Sequence, residues 1–380
     1  MSPGELFELT RYLVYRAAWR HAPGLLRHAE RRGHALRNRR LRQRLLRVSV
    51  PGEPDALTVA WAGWDEGLFE YLRRRFGGAV QVSDRGTLRA LEARPELDFG
   101  PGVDLALVEM PDWRAGAFAA EGWLILPKRV THLEELRAAP GEESPHAQSV
   151  ERAIRRRGLT CELSTQPADL AAFYRGFYLP MLERRHADQA RPTSLSLLRL
   201  IHRRGFLLRV FDRGEWVSGA LLAPHPLWSD TMSIVVVGVR DGDYRAVHDA
   251  ARAAPVFFAR EEARRRGARV CDHLVTRPFL DDGLFRRKRR WETRVHDVRE
   301  RPDRLLLRAF GDRPMLRRWL AQNPFLSCTR DGLVAIAWGD SSVDRSRLLA
   351  VPGVVARYSG SSVGELTTLA STLGSGMIGG

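Results

Sequence analysis

From Ser233 to Val239 the chain is apolar and valine-rich, and Gly238 with the Asp241-Gly242 turn signal ends the run, as in a buried strand. Helical spacing follows. Val247, Ala250, Ala251, Ala254, Phe257, Phe258 and Ala263 share one side, while Arg252, Arg260, Glu261, Arg264 and Arg265 mostly take the other. Pro255 interrupts this helix, and Gly267 supplies the left-handed residue that closes it. Arg269–Val275 predicts a short strand, after which Pro278 opens a helix carrying Phe279, Leu280, Leu284, Phe285 and Trp291. Strand, turn, helix, strand and helix in that order form a crossover unit.

Upstream, Leu57–Ala62 predicts a strand, Glu66–Phe76 an amphipathic helix, Val103–Met110 a buried strand, and Trp123–Val130 a strand interrupted by Pro127. The small, acidic, Pro- and Gly-containing stretch Ala138–Gln148 is the best internal boundary. Beyond it come a helix at Ser149–Arg157, a strand at Leu159–Ser164, a long helix at Pro167–Arg185 bent by Pro180, and a shorter helix at Leu195–Arg203. Phe206–Phe211 and Trp216–Ala223 form a hairpin over Asp212-Arg213-Gly214. After Arg294 the pattern loosens to a helix at Pro314–Gln322, a strand at Leu333–Trp338, and a Ser/Gly-rich end from Ser359 to Gly380 with one short helix. At the start, Leu6, Leu9, Leu13 and Ala17 make one helical stripe and Leu25, Ala29 and Leu36 another.

A chain of 380 residues, 44% apolar and 28% charged, has room for two cores and the composition of a globular protein. No apolar run reaches the length of a membrane span and no secretory signal is visible, so a cytoplasmic protein is expected. Three scattered cysteines, Cys161, Cys271 and Cys328, give neither a disulfide framework nor a zinc spacing, so no metal is expected. The formal charge of +16 points to a polyanionic neighbour. Of the 61 basic side chains only Lys128 and Lys288 are lysine, a skew that genome composition would also produce. Met1–Val50 holds twelve arginines against three acids, with Tyr12, Tyr15 and Trp19 among them. This basic helical segment could lie on an anionic membrane face, pack against a domain, or touch nucleic acid.

The central stretch resembles the second half of the GNAT acyltransferase fold, and more narrowly the Fem-type peptidyltransferases and the FemAB-like acetyltransferase-domain group. The residues that carry this are Gly238 with Val239 at a strand end, Asp272 in the short strand, RPFLDDGLF at Arg277–Phe285, and Lys288 and Trp291 in FRRKRRW. FYRGFYLPMLERRH, from Phe173 to His186, and the strand pair around Phe206–Ala223 complete the set, which spans roughly Ser149–Arg294. The resemblance implies an α/β fold with a GNAT-like mixed sheet flanked by helices, in tandem with a degenerate N-terminal half. The implied domains are a basic helical segment at 1–50, a degenerate α/β half at 51–145, a GNAT-like acyltransferase domain at 146–300 and a C-terminal α/β extension with a flexible tail at 301–380.

It implies further that a splayed strand, Val237, Gly238 and Val239, and the turn after it, Arg240, Gly242 and Arg245, hold the acyl donor, either acyl-coenzyme A or an aminoacyl-tRNA. That turn has one glycine and two aspartates where the coenzyme A signature has spaced glycines, and Asp243 also reads as a helix cap. Transfer to an amine needs a base, for which Asp272 or His273 at the short strand's end is suited. Lys288 resembles a lysine that Fem-type enzymes place near the substrate phosphate or the transition state, and the resemblance makes it a catalytic candidate beside Asp272 and His273. Tyr174, Tyr178, His186, Arg277 and Trp291 are the substrate-binding candidates, and the arginines around Lys288 suit a phosphorylated or lipid-linked amine acceptor. The expected activity is acyl or aminoacyl transfer to a cell-envelope precursor at the inner membrane face. A coenzyme A-dependent N-acetyltransferase acting on a soluble amino sugar or amino acid, a non-catalytic GNAT scaffold, and a nucleic-acid-binding protein remain as alternatives.

Overall fold

The computed structural model describes residues 40–50, 55–89, 92–94, 96–97, 99–136, 143–186, 192–225, 228–243, 249–298, 303–338, 350–360 and 362–375. They belong to two compact units. The first holds His132–Leu274 and Lys288–Thr293; the second holds the described parts of Arg27–Thr131 and Arg294–Gly380 together with Val275–Arg287.

The described residues begin, in the second unit, with strands β1 (Arg40–Ser49) and β2 (Leu57–Gly63), helix α1 (Glu66–Arg75), strands β3 (Ala79–Arg89) and β4 (Leu105–Pro111), helix α2 (Asp112–Ala120) and strand β5 (Leu124–Pro127). Next come β6 (Val130–Glu135), α3 (Pro145–Arg157), β7 (Thr160–Ser164), α4 (Pro167–Phe173), a π turn (Tyr174–Tyr178), α5 (Leu179–His186) and α6 (Leu195–His202). The first unit continues with β8 (Phe206–Asp212), β9 (Glu215–Pro224), β10 (Thr231–Val239), a 3-10 turn (Arg240–Gly242), α7 (Asp249–Arg265) and β11 (Val270–Thr276). The remaining elements are α8 (Gly283–Arg289), β12 (Arg294–Asp297), β13 (Asp303–Ala309), α9 (Pro314–Gln322), β14 (Phe325–Cys328), β15 (Leu333–Trp338), β16 (Val354–Gly360) and α10 (Val363–Ser375). The α/β class with mixed, helix-flanked sheets is therefore what the chain forms.

In the second unit the main sheet runs β3-β1-β2-β4-β13-β5, with β2 and β4 parallel and β13 antiparallel to both β4 and β5. Strands β2, β4 and β5 therefore point the same way. Because β13 lies between β4 and β5, the α/β extension expected from 301 begins inside this sheet, while its strands β14, β15 and β16 form a three-stranded sheet of their own. Arg40–Ser49 is likewise a strand and not helical, since Leu41, Leu46 and Val48 are buried and it pairs with both β2 and β3. The rest of the expected 1–50 segment, apart from Val50, lies outside the described residues.

The helix expected from Pro278 through Trp291 is shorter than its apolar spacing suggested. Leu280 N–H donates to Pro324 O and Leu326 N–H to Pro278 O, so Pro278–Leu280 is held extended. The helix starts only where Asp282 Oδ1 accepts from Leu284 and Phe285 N–H.

In the first unit the strands lie in the order β6-β11-β10-β9-β8-β7, with β7 to β10 antiparallel. The β8–β9 turn places Arg213 at φ 52° and Gly214 at φ 80°, the two left-handed residues of a tight hairpin. Helix α7 covers one face, where Ser218 Oγ donates to Ala251 O at 2.6 Å. Phe173 and Phe177 cover the other, where a Cβ on Gly238 would come 2.9 Å from both. Pro180 does not break the long helix. It offers no N–H to the preceding turn, and the chain adapts through the π turn, in which Leu179 N–H reaches back five residues to Tyr174 O. Among the described residues no helix is long and apolar enough to cross a membrane.

Candidate functional site

Strands β10 and β11 pair in parallel from Thr231↔Val270 to Ser233↔Asp272, where the pairing stops. Strand β10 runs on to Val239 still bonded to β9, with a bulge between Ile234 and Val236. The two strands thus form a fork. A bulge there twists the strand and re-aims its backbone groups.

Asp272 and His273 sit at the base of the fork on opposite faces, since neighbouring strand residues point apart. Asp272, 3% exposed, accepts from Ser233 Oγ at 3.2 Å and from Leu274 N–H at 2.7 Å. That second bond fixes Leu274 at φ 59°, a left-handed conformation unfavourable for a leucine. His225 Nε2, at the end of β9, lies 3.8 Å from Asp272 Oδ2, and the Trp228 ring stacks on His225 at 4.1 Å.

His273 faces α7 and belongs to a buried ion network. Its Nε2 is 2.8 Å from Glu134 Oε2; Arg260 donates at 2.6 Å to Glu134 and at 2.6 Å to Glu143, and Arg264 also reaches Glu143. Burial opposes the Arg260 charge, yet the two carboxylates leave its pKa raised. The guanidinium lies 4.9 Å from the Trp291 ring centre, and His146 meets that ring edge-on at 4.8 Å. Trp291 and His273 are thus walls of one cluster, and Asp272 belongs to another.

Lys288 is half-buried near the same cluster. Its carbonyl accepts from Trp291 N–H at 3.0 Å and from Thr293 Oγ1 at 3.3 Å, and Thr293 Oγ1 lies 3.0 Å from His132 Nδ1. Burial first, then the Lys288 and His273 charges, drive the His132 pKa from 6.5 down to about 2. A histidine held neutral in the fold but free to protonate when unfolded costs stability as pH falls below 6.5, and the loss continues toward about 2. Urea unfolding between pH 7 and pH 5 should show this acid slope, and His132→Asn should flatten it.

Tyr178 is buried, its hydroxyl accepts from Thr193 N–H at 3.1 Å, and Tyr174 lies 5.8 Å away ring to ring on the π turn. On the turn after β10, Arg240 is 2.9 Å from Glu215, Asp243 is 3.6 Å from Arg184, and a Cβ on Gly242 would come 2.5 Å from Pro180 O. Val237 is half-buried, and Gly238 and Val239 are buried. Arg245 and the His186 side chain lie outside the described residues. Arg277 is in the second unit, 3.7 Å from Asp65 and over the Tyr71 ring.

The second unit holds a charged group that the sequence reading missed. Asp65, Glu109 and Lys128 stand at or just past the carboxyl ends of the parallel strands β2, β4 and β5. Glu109, fully buried, accepts from Trp64 and Asp65 N–H at 2.6 Å each and pairs with Lys128. Lys128 also faces Asp65 at 3.6 Å and Asp303 at 3.9 Å. The scarcity of lysine in this chain, which singles out Lys128 as much as Lys288, is the signal in the sequence that marks it. Among the described residues no group of His, Cys, Asp and Glu is arranged to hold a metal ion.

No protein-family model and no curated protein matches this chain. Among solved structures, L-PGS from Bacillus licheniformis is similar at 10% identity, covering 72% of this chain and 84% of that one, with a TM-score of 0.36. The C-terminal domain (DUF2156) of a putative lysylphosphatidylglycerol synthetase from Agrobacterium fabrum is similar at 13% identity over 70% and 81%, TM-score 0.34. A GCN5-related N-acetyltransferase from Kribbella flavida is similar at 16% identity over 74% and 92%, TM-score 0.28.

Proposed function

We propose that the first unit is a GNAT-like acyltransferase that moves an acyl or aminoacyl group onto an amine, with a cell-envelope precursor as acceptor. The observation that supports this most directly is the fork: pairing between β10 and β11 stops at Ser233↔Asp272 while β10 continues, bulged, to Val239. Strand backbone freed on one side can donate N–H groups to an acyl carbonyl, the role an oxyanion site requires. The charges at the turn after β10 favour one donor over the other. Arg240 and Arg184 already face carboxylates, and Asp241 and Asp243 would repel a pyrophosphate. An aminoacyl-tRNA, recognised through its long polyanionic surface by a chain of charge +16, therefore stands ahead of acyl-coenzyme A.

Calorimetry of the full chain with acetyl-coenzyme A and with a charged tRNA tests this order. The charged tRNA should bind more tightly at low salt, with affinity falling as salt rises; tight acetyl-coenzyme A binding would reverse it. Lys288→Met should abolish transfer while circular dichroism stays unchanged. Wild-type turnover in that variant removes Lys288 from the reaction.

A further inference from the structure

We propose that the second unit binds an organic ammonium, an amine with an apolar body, in a groove between its three-stranded sheet and helix α10. The groove has a volume of about 580 Å³, the size of a small-ligand site, and its walls include Trp338, Tyr358, Gly360, Glu365, Leu369 and Thr372. All six belong to the second unit. Binding here requires nothing of the acyl transfer assigned to the first unit.

Local structure builds the groove. Strands β15 and β16 run in parallel and end together at Trp338↔Gly360, and α10 starts three residues later, where Ser362 Oγ accepts from Glu365 N–H at 3.3 Å. Parallel strands commonly open a crevice beyond their carboxyl ends. Leu366 and Ala370 are buried and fix one side of α10 to the core, while Glu365, Leu369 and Thr372, spaced four and three apart, share the side at the groove. Gly360 lets the walls approach each other. A Cβ there would come 2.5 Å from Trp338 Cη2 and 2.8 Å from Glu365 Oε2, so the indole edge and the carboxylate close on the same point.

The lining sets the chemistry of the ligand. Trp338, Tyr358 and Leu369 present apolar surface, which suits an apolar body. Among the described residues that line the groove only Glu365 is charged, a carboxylate in a chain of formal charge +16, so this place favours a cation where the chain as a whole favours anions. Glu365 also occupies the first turn of α10, so the helix end that would attract an anion already carries one. Thr372 Oγ1 donates its proton to Thr368 O at 2.9 Å and therefore meets a ligand with lone pairs, which match an N–H donor and not a carboxylate. An exposed ion pair contributes modestly and an aromatic face adds a similar amount. Together they give a preference of about tenfold for an ammonium over a neutral ligand of the same shape.

Calorimetry of the full chain with 2-phenylethylamine, 2-phenylethanol and phenylacetate at neutral pH tests this in wild type, Glu365→Gln and Gly360→Ala. Wild type should bind the amine about tenfold more tightly than the alcohol, and phenylacetate most weakly. Glu365→Gln, a change at an exposed position, should keep the circular dichroism of wild type and bring the amine down to the affinity of the alcohol. Gly360→Ala should weaken amine and alcohol alike, because the methyl group fills the point where the walls meet. A wild-type chain that binds none of the three, or binds phenylacetate ahead of the amine, overturns the proposal. So does an amine preference that survives in Glu365→Gln, a comparison that decides by itself if Gly360→Ala does not fold.

Discussion

Lys128→Met is expected to destabilise the second unit by about 3–5 kcal/mol, with a fall in Tm on the order of 10 °C. The ammonium is the counter-charge of Glu109, a fully buried carboxylate, and also faces Asp65 and Asp303. Methionine fills much the same volume, so the loss is of charge pairing and not of packing. Burial already pushes the Glu109 carboxyl above its ordinary range, and Lys128 is the main influence pulling it back down. Without Lys128 the folded state holds that proton more tightly than the unfolded chain does. Stability then falls as pH rises through and above the ordinary glutamate value, so the deficit should be larger at pH 8 than at pH 5. Adding Glu109→Gln should recover part of the loss at pH 8. Thermal melts of the three proteins at both pH values check this, and a deficit independent of pH would show that Glu109 does not take up the proton.

The same cluster shows where sequence reading stops. Local periodicity made β10, α7, β11 and the β8–β9 hairpin legible, because each carries an apolar face and a turn residue within a few positions of its end. Strand β3 carries no such face: nearly every residue of Ala79–Arg89 is exposed, so neither alternation nor an apolar run marks it. Strand β1 alternates, but its arginines pointed instead to a basic helix. Strand β13 is found only through its partners, β4 and β5, which lie far back in the chain. The fork follows the same division. Asp272 and His273 were found as a pair at a strand end, yet the residues each one meets, His225 for the first and Glu134 with Arg260 for the second, come from other strands and a helix. Pairing across a sheet sets them, and spacing along the chain does not encode it.

Arg260→Met should be the most damaging single change in the first unit, again by about 3–5 kcal/mol. The Arg260 side chain is 3% exposed and bridges Glu134 and Glu143, so its removal leaves two carboxylates facing each other in a buried space. It also takes a guanidinium from the Trp291 ring. The remaining partner for Glu134 is His273, 2.8 Å away. Against burial, Arg260 is the leading influence that holds the Glu143 carboxyl below its ordinary range, so its loss lets burial push that carboxyl up, and stability falls as pH rises through the ordinary glutamate range. The variant should therefore be least impaired near pH 5 and most impaired near pH 8, and Arg260→Met combined with Glu134→Met should melt higher than Arg260→Met alone. Urea unfolding across that range provides the check. If Arg260→Met unfolds at the wild-type urea concentration, the network does not hold this part of the first unit together.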